Sequence, residues 1–111
     1  MPASSARDQF DESKFELIKG DINLTAKHFA ISRPGARICL LYLDLDVEDA
    51  TYSTLSWLWE KLAVGGIVVF DEYAHHQWSE SIGADRFFGP KGIKIKALYF
   101  PAPTAFVIKE R

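Results

Sequence analysis

Two apolar runs that each close on acidic residues constrain this chain more than any other feature. Arg37–Asp44 reads RICLLYLD and Ile67–Asp71 reads IVVFD. Neither run alternates with polar residues, so both predict strands buried on two faces, as in a parallel sheet. Between them Tyr52, Leu55, Leu58, Trp59 and Leu62 recur at helical spacing, which predicts a helix over 48–62. Gly65-Gly66 is expected to stop that helix, because glycine supplies the left-handed backbone needed just past a helix end. Strand, helix and strand together make a right-handed parallel crossover.

The flanking segments extend this unit. Residues 1–14 form a polar lead-in, and 15–111 a single α/β domain. Phe15–Lys19 (FELIK) predicts a short strand. Asp21 is placed to cap a helix over 22–31, and Ser32-Arg33-Pro34-Gly35 forms a loop. Residues 77–88 predict a further helix, and 93–100 and 105–109 two strands. The link Pro101–Thr104 is too short for a crossover, so that pair is antiparallel. The expected fold class is therefore α/β, with a mostly parallel sheet and an antiparallel C-terminal hairpin.

Bulk properties narrow the partners. A length of 111 residues with 48% apolar side chains supports one domain with a real core. A net charge of −2 gives no polycationic face and so no expectation of nucleic acid. The single cysteine, Cys39, excludes an intramolecular disulfide and fits a reducing compartment; in a buried strand it reads as a small core residue. No apolar stretch approaches the ~20 residues that span a bilayer, and residues 1–14 lack the apolar centre of a signal peptide. The expectation is a cytoplasmic protein with a small-molecule substrate and no membrane partner.

The acids carry the chemistry. The first strand ends Leu43-Asp44-Leu45-Asp46 and the second Asp71-Glu72. In open α/β sheets, ligands bind beyond the carboxyl ends of the strands, and adjacent strands lie ~4.8 Å apart. Carboxylates at matching ends can converge, and a hard divalent cation, Mg²⁺ or Ca²⁺, relieves their repulsion. The competing reading makes them solvated caps of the following helices.

Three stretches together resemble the macrocin O-methyltransferase family of the class I S-adenosylmethionine-dependent methyltransferases: Tyr42-Leu43-Asp44-Leu45-Asp46, Leu62-Ala63-Val64-Gly65-Gly66-Ile67 and Phe70-Asp71-Glu72-Tyr73. The resemblance covers the C-terminal half of that fold. It implies Mg²⁺ held by Asp44, Asp71 and Glu72, with Asp46 as a further ligand or its hydrogen-bonded neighbour, and a sugar-like hydroxylated substrate. It also implies that Phe15–Asp21 matches the third strand of the fold, with Asp21 and Ile22 near the adenine of the methyl donor. The Gly-x-Gly turn that wraps the donor has no counterpart here, so the implied donor site is incomplete. The strand over 37–44 is then left with an unpaired edge, which the Phe15 strand or a second copy of the chain would close.

His75 and His76 follow the second acidic end, and His76 is a candidate general base against the alternative of two solvated imidazoles. Trp78 either stacks on a sugar face or anchors the next helix. His28 is read as structural, Trp59 as core, and Glu80, Asp85 and Arg86 as a solvated helix face. Three functions compete: an O-methyltransferase or a piece of one, a non-catalytic remnant or partner-dependent half, and a phosphotransferase of the haloacid dehalogenase type. A nucleotide-sugar glycosyltransferase shares only the Asp-x-Asp spacing.

Overall fold

The computed structural model describes residues 12–45, 47–71, 80–97 and 104–111. Three helices, α1 (Ile22–Ser32), α2 (Glu48–Leu58) and α3 (Glu80–Phe88), accompany four strands, β1 (Ile38–Leu43), β2 (Leu62–Phe70), β3 (Lys96–Ala97) and β4 (Ala105–Ile108). The strand order is β1-β2-β4-β3. β1 and β2 are parallel, whereas β4 runs antiparallel to both β2 and β3. Three strands thus share one direction, and the reversed β4 is threaded between two of them. The expected hairpin is present. No helix of the described residues is long and apolar enough to cross a membrane.

The core lies on one face of this sheet. Leu43, Val68, Phe70 and Val107 face Leu55, Trp59, Ala84 and Phe88. Phe88 is its hub, edge-on to Trp59 at 5.0 Å, to Phe87 at 5.1 Å and to Phe70 at 6.0 Å between ring centroids. Edge-to-face contact sets the positive rim of one ring against the negative face of another. Leu55, Leu58, Trp59 and Leu62 of the periodic stripe are buried. α2 packs against α3 on one side and α1 on the other. Arg86 of α3 bridges to Glu48 at 2.9 Å and lies 4.1 Å over the Tyr52 ring. Its guanidinium pKa is raised, first by the hydrogen bond to Glu48. Arg86 therefore ties two helices together and is not simply a solvated position.

Several expectations are corrected. Phe15–Lys19 is not a strand. Among the described residues no strand pairs with it, and Leu17 and Ile18 are exposed. It is held instead by Glu16, which pairs with Arg33 at 2.7 Å. The Phe15 segment thus does not close the edge of β1. Nor is β1 buried on both faces. Leu41 and Leu43 turn toward the core, whereas Leu40 and Tyr42, on the opposite face, are exposed, and so is Cys39 near the start of the strand. Cys39 is therefore not a core residue.

The helix boundary also moves. α2 ends at Leu58, a 3₁₀ turn spans Trp59–Lys61, and β2 begins at Leu62. Lys109, buried, clamps this junction by donating from Nζ to the carbonyls of Trp59 (2.9 Å) and Leu62 (2.8 Å), and the Trp59 carbonyl also accepts the Leu62 N–H that closes the 3₁₀ turn. Gly65, at φ +88°, serves a different purpose. Ile38 pairs with Leu62 but Leu40 with Ile67, so Ala63–Gly66 bulge out of β2, and the left-handed residue turns the chain back into register.

Candidate functional site

The register of β1 on β2 builds the site. Leu43 pairs with Phe70, and the Asp71 N–H donates to the Leu43 carbonyl at 3.0 Å. Asp44 and Asp71, one residue past the paired ends, therefore stand side by side at the carboxyl edge of the sheet. Leu43 and Phe70, the last residues of the two strands, are buried in the core, and the acids follow directly after them. Asp44 is exposed and Asp71 half-buried.

Asp71 is fixed from two directions. The Tyr42 hydroxyl donates a short hydrogen bond to Asp71 Oδ1. Tyr42 pairs with Val69, and Asp71 lies two residues past Val69, so strand alternation puts Tyr42 and Asp71 on one face. The Asp71 carbonyl accepts from Thr104 Oγ1 at 3.1 Å, which binds the start of β4 to the site. Behind Asp44, the chain enters α2 at Glu48, with Asp49 next in its first turn. Thr51 closes that turn, its N–H and its hydroxyl both donating to the Val47 carbonyl at 3.1 and 3.0 Å.

The other candidate residues are placed unevenly. Asp21 caps α1, its Oδ1 accepting from the Asn23 N–H at 2.9 Å, and Ile22 opens that helix half-buried. His28 is exposed on α1, and Trp59 is buried as expected. Asp46, Glu72, His75, His76 and Trp78 lie outside the described residues. Among the described residues no three of His, Cys, Asp and Glu gather as a metal site, and the brought-together pair is Asp44 with Asp71. Tyr42 and Thr104 were not singled out from the sequence. Tyr42 carried a usable signal, since it precedes Asp44 by two residues and so shares its strand face. Thr104 carried none, because only the return of β4 beside β2 brings it near.

A parallel crossover with acids at both carboxyl ends, continued by a reversed strand inserted beside it, is the class I methyltransferase arrangement, here in part. The sequence profile of macrocin-O-methyltransferase (TylF) matches residues 1–95, and the chain belongs to that family. It is similar to the apo structure of CalS11, a TDP-rhamnose 3'-O-methyltransferase in calicheamicin biosynthesis. The identity is 30% and the TM-score 0.72, over 83% of this chain and 40% of that one. A second structure of CalS11, calicheamicin methyltransferase, matches at 30% identity and TM-score 0.73, over 83% of this chain and 36% of that one. The O-methyltransferase NovP shares the fold at 19% identity and TM-score 0.71, over 98% of this chain and 45% of that one. The chain thus spans less than half the length of these solved relatives. No curated protein matches it. Family membership leaves the haloacid dehalogenase-type and glycosyltransferase readings without support.

Proposed function

We propose that this chain is the acceptor-side portion of a cytoplasmic, S-adenosylmethionine-dependent O-methyltransferase whose substrate is a sugar or similar polyol. The reading rests on one observation, the Leu43–Phe70 register that sets Asp44 beside Asp71. The donor set fits Mg²⁺. It is made of carboxylate oxygens, which hard cations prefer. Asp44 and Asp71 would hold the ion with Asp46 and Glu72. When bound, Mg²⁺ supplies positive charge that acidifies and orients a coordinated hydroxyl.

The chain's own residues do the rest. Tyr42 and Thr104 fix the Asp71 carboxylate and carbonyl. Asp21 and Ile22 would lie near the adenine of the donor, and His76, in the sequence after the second acidic end, would be the base that takes the hydroxyl proton. The outer edge of β1, which no other strand pairs among the described residues, is where a second copy, or a complementing methyltransferase half, completes the sheet. That same open edge favours the second reading, a partner-dependent half or non-catalytic remnant.

Calorimetric titration of S-adenosylmethionine into the chain, with and without Mg²⁺, separates the two. Micromolar binding that strengthens with Mg²⁺ supports the methyltransferase reading. No binding under either condition sinks it for the isolated chain and leaves the remnant.

A further inference from the structure

The Tyr42–Asp71 hydrogen bond assigns a role beyond holding a side chain still. Resting on the reading of Asp71 as a cation ligand, we propose that Tyr42 makes Asp71 a one-oxygen ligand and thereby biases the site toward Mg²⁺ over Ca²⁺.

A carboxylate can present one oxygen or both to a cation. The Tyr42 hydroxyl occupies Oδ1, and an oxygen that already accepts a proton is the weaker ligand, so Oδ2 is the oxygen offered. The backbone is anchored as well. The Asp71 N–H is engaged by Leu43 and its carbonyl by Thr104, so the Cα from which the carboxylate projects is held in place. The strand pairing fixes the donor too. Tyr42 sits in the parallel ladder opposite Val69, which determines where its hydroxyl arrives.

The two cations respond differently to such a ligand. Mg²⁺ requires near-octahedral coordination and takes carboxylates through single oxygens. Ca²⁺ accepts more ligands and readily takes both oxygens of one carboxylate. A carboxylate held to one oxygen suits the smaller ion and deprives the larger of a chelating pair. Tyr42 is therefore a specificity-determining residue that acts through Asp71 and touches no cation itself. Removing a hydrogen-bonding partner of a metal ligand typically changes affinity by about 10–100-fold.

The test is calorimetric titration of MgCl₂ and of CaCl₂ into the chain, into Tyr42→Phe and into Val64→Ala. The last trims an exposed apolar side chain of the β2 bulge. The expected result is a Mg²⁺ preference in the parent chain that falls about tenfold in Tyr42→Phe, with Ca²⁺ binding retained or strengthened. Val64→Ala is expected to keep the parent ratio. A general loosening of the fold would weaken both ions together and leave the ratio unchanged. An unchanged ratio in Tyr42→Phe, with both ions still bound by the parent, overturns the role of Tyr42 and spares the metal site. A parent chain that prefers Ca²⁺ also overturns it. A parent chain that binds neither ion overturns the metal reading and this inference with it.

Discussion

Gly83 of α3 lies so close to Glu48 of α2 that a Cβ built on it would stand 2.5 Å from the Glu48 carbonyl oxygen and 2.9 Å from the Thr51 Cβ. Glycine is therefore what lets α2 and α3 meet there. Alanine at an ordinary helical site would gain about 1 kcal/mol. Here the obstacle is backbone, which cannot rotate aside, and overpacking of this kind costs about 1–3 kcal/mol. Gly83→Ala should lower the urea midpoint. An unchanged or higher midpoint would show that the helices part freely.

Thr54 is buried at 1% exposure, and its hydroxyl has no hydrogen-bond partner among the described residues. A buried polar group left unsatisfied costs about 1–3 kcal/mol. Valine has the same shape without the hydroxyl. Thr54→Val should raise the melting temperature, corresponding to a gain of about 1 kcal/mol, as read by calorimetry. A lower melting temperature would reveal a partner, such as a bound water.

Lys109→Met keeps the apolar stem that passes Trp59 but deletes both hydrogen bonds from Nζ to the Trp59 and Leu62 carbonyls. Hydrogen bonds to a charged group contribute about 1.5–3 kcal/mol, so a loss of about 2 kcal/mol is expected in denaturant titration. Amide exchange should quicken first at the junction of α2 and β2. A loss spread evenly over the chain would argue against a local clamp at that junction.

A cation at Asp44 and Asp71 stabilises the folded chain only in proportion to its binding. At a hundredfold excess over Kd the gain is about 2.7 kcal/mol. MgCl₂ should raise the melting temperature of the parent chain, EDTA should reverse the rise, and Asp44→Asn and Asp71→Asn should each abolish it. Equal shifts in the parent and both variants would indicate a general salt effect.

Leu40 and Tyr42, each 55% exposed, stand on the open side of an edge strand, an arrangement that invites pairing. Analytical ultracentrifugation should show the chain associating as its concentration rises, and Leu40→Lys should hold it monomeric. A parent chain that stays monomeric throughout would remove self-pairing as the way the sheet is completed.

The crossover unit and its acidic ends were legible because each depends on local pattern: continuous apolar runs, a 3.6-residue stripe, and polar residues where the runs stop. Asp21 as a cap was legible for the same reason, since its partner is two residues away. What could not be read depends on neighbours distant in sequence. Leu40 looks like a core residue, yet it lies on the exposed face of β1, and Cys39 is exposed near the start of that strand. Phe15–Lys19 has strand composition, but among the described residues no strand pairs with it. Gly65 has the residue type of a helix stop, but the helix ends at Leu58 and the chain is in β2 from Leu62, so the glycine shapes a bulge instead.

The threading of β4 between β2 and β3 also sets an order of assembly. β1 and β2 can join as soon as the crossover is made. β3 touches the sheet only through β4, so it has no ladder until the strand that follows it in the chain arrives. During synthesis β3 must wait, unpaired, for Ala105–Ile108 to emerge. A lesion in those four residues releases two strands at once. The last strand thus acts as a latch on the site, since Thr104, which grips the Asp71 carbonyl, comes home with it.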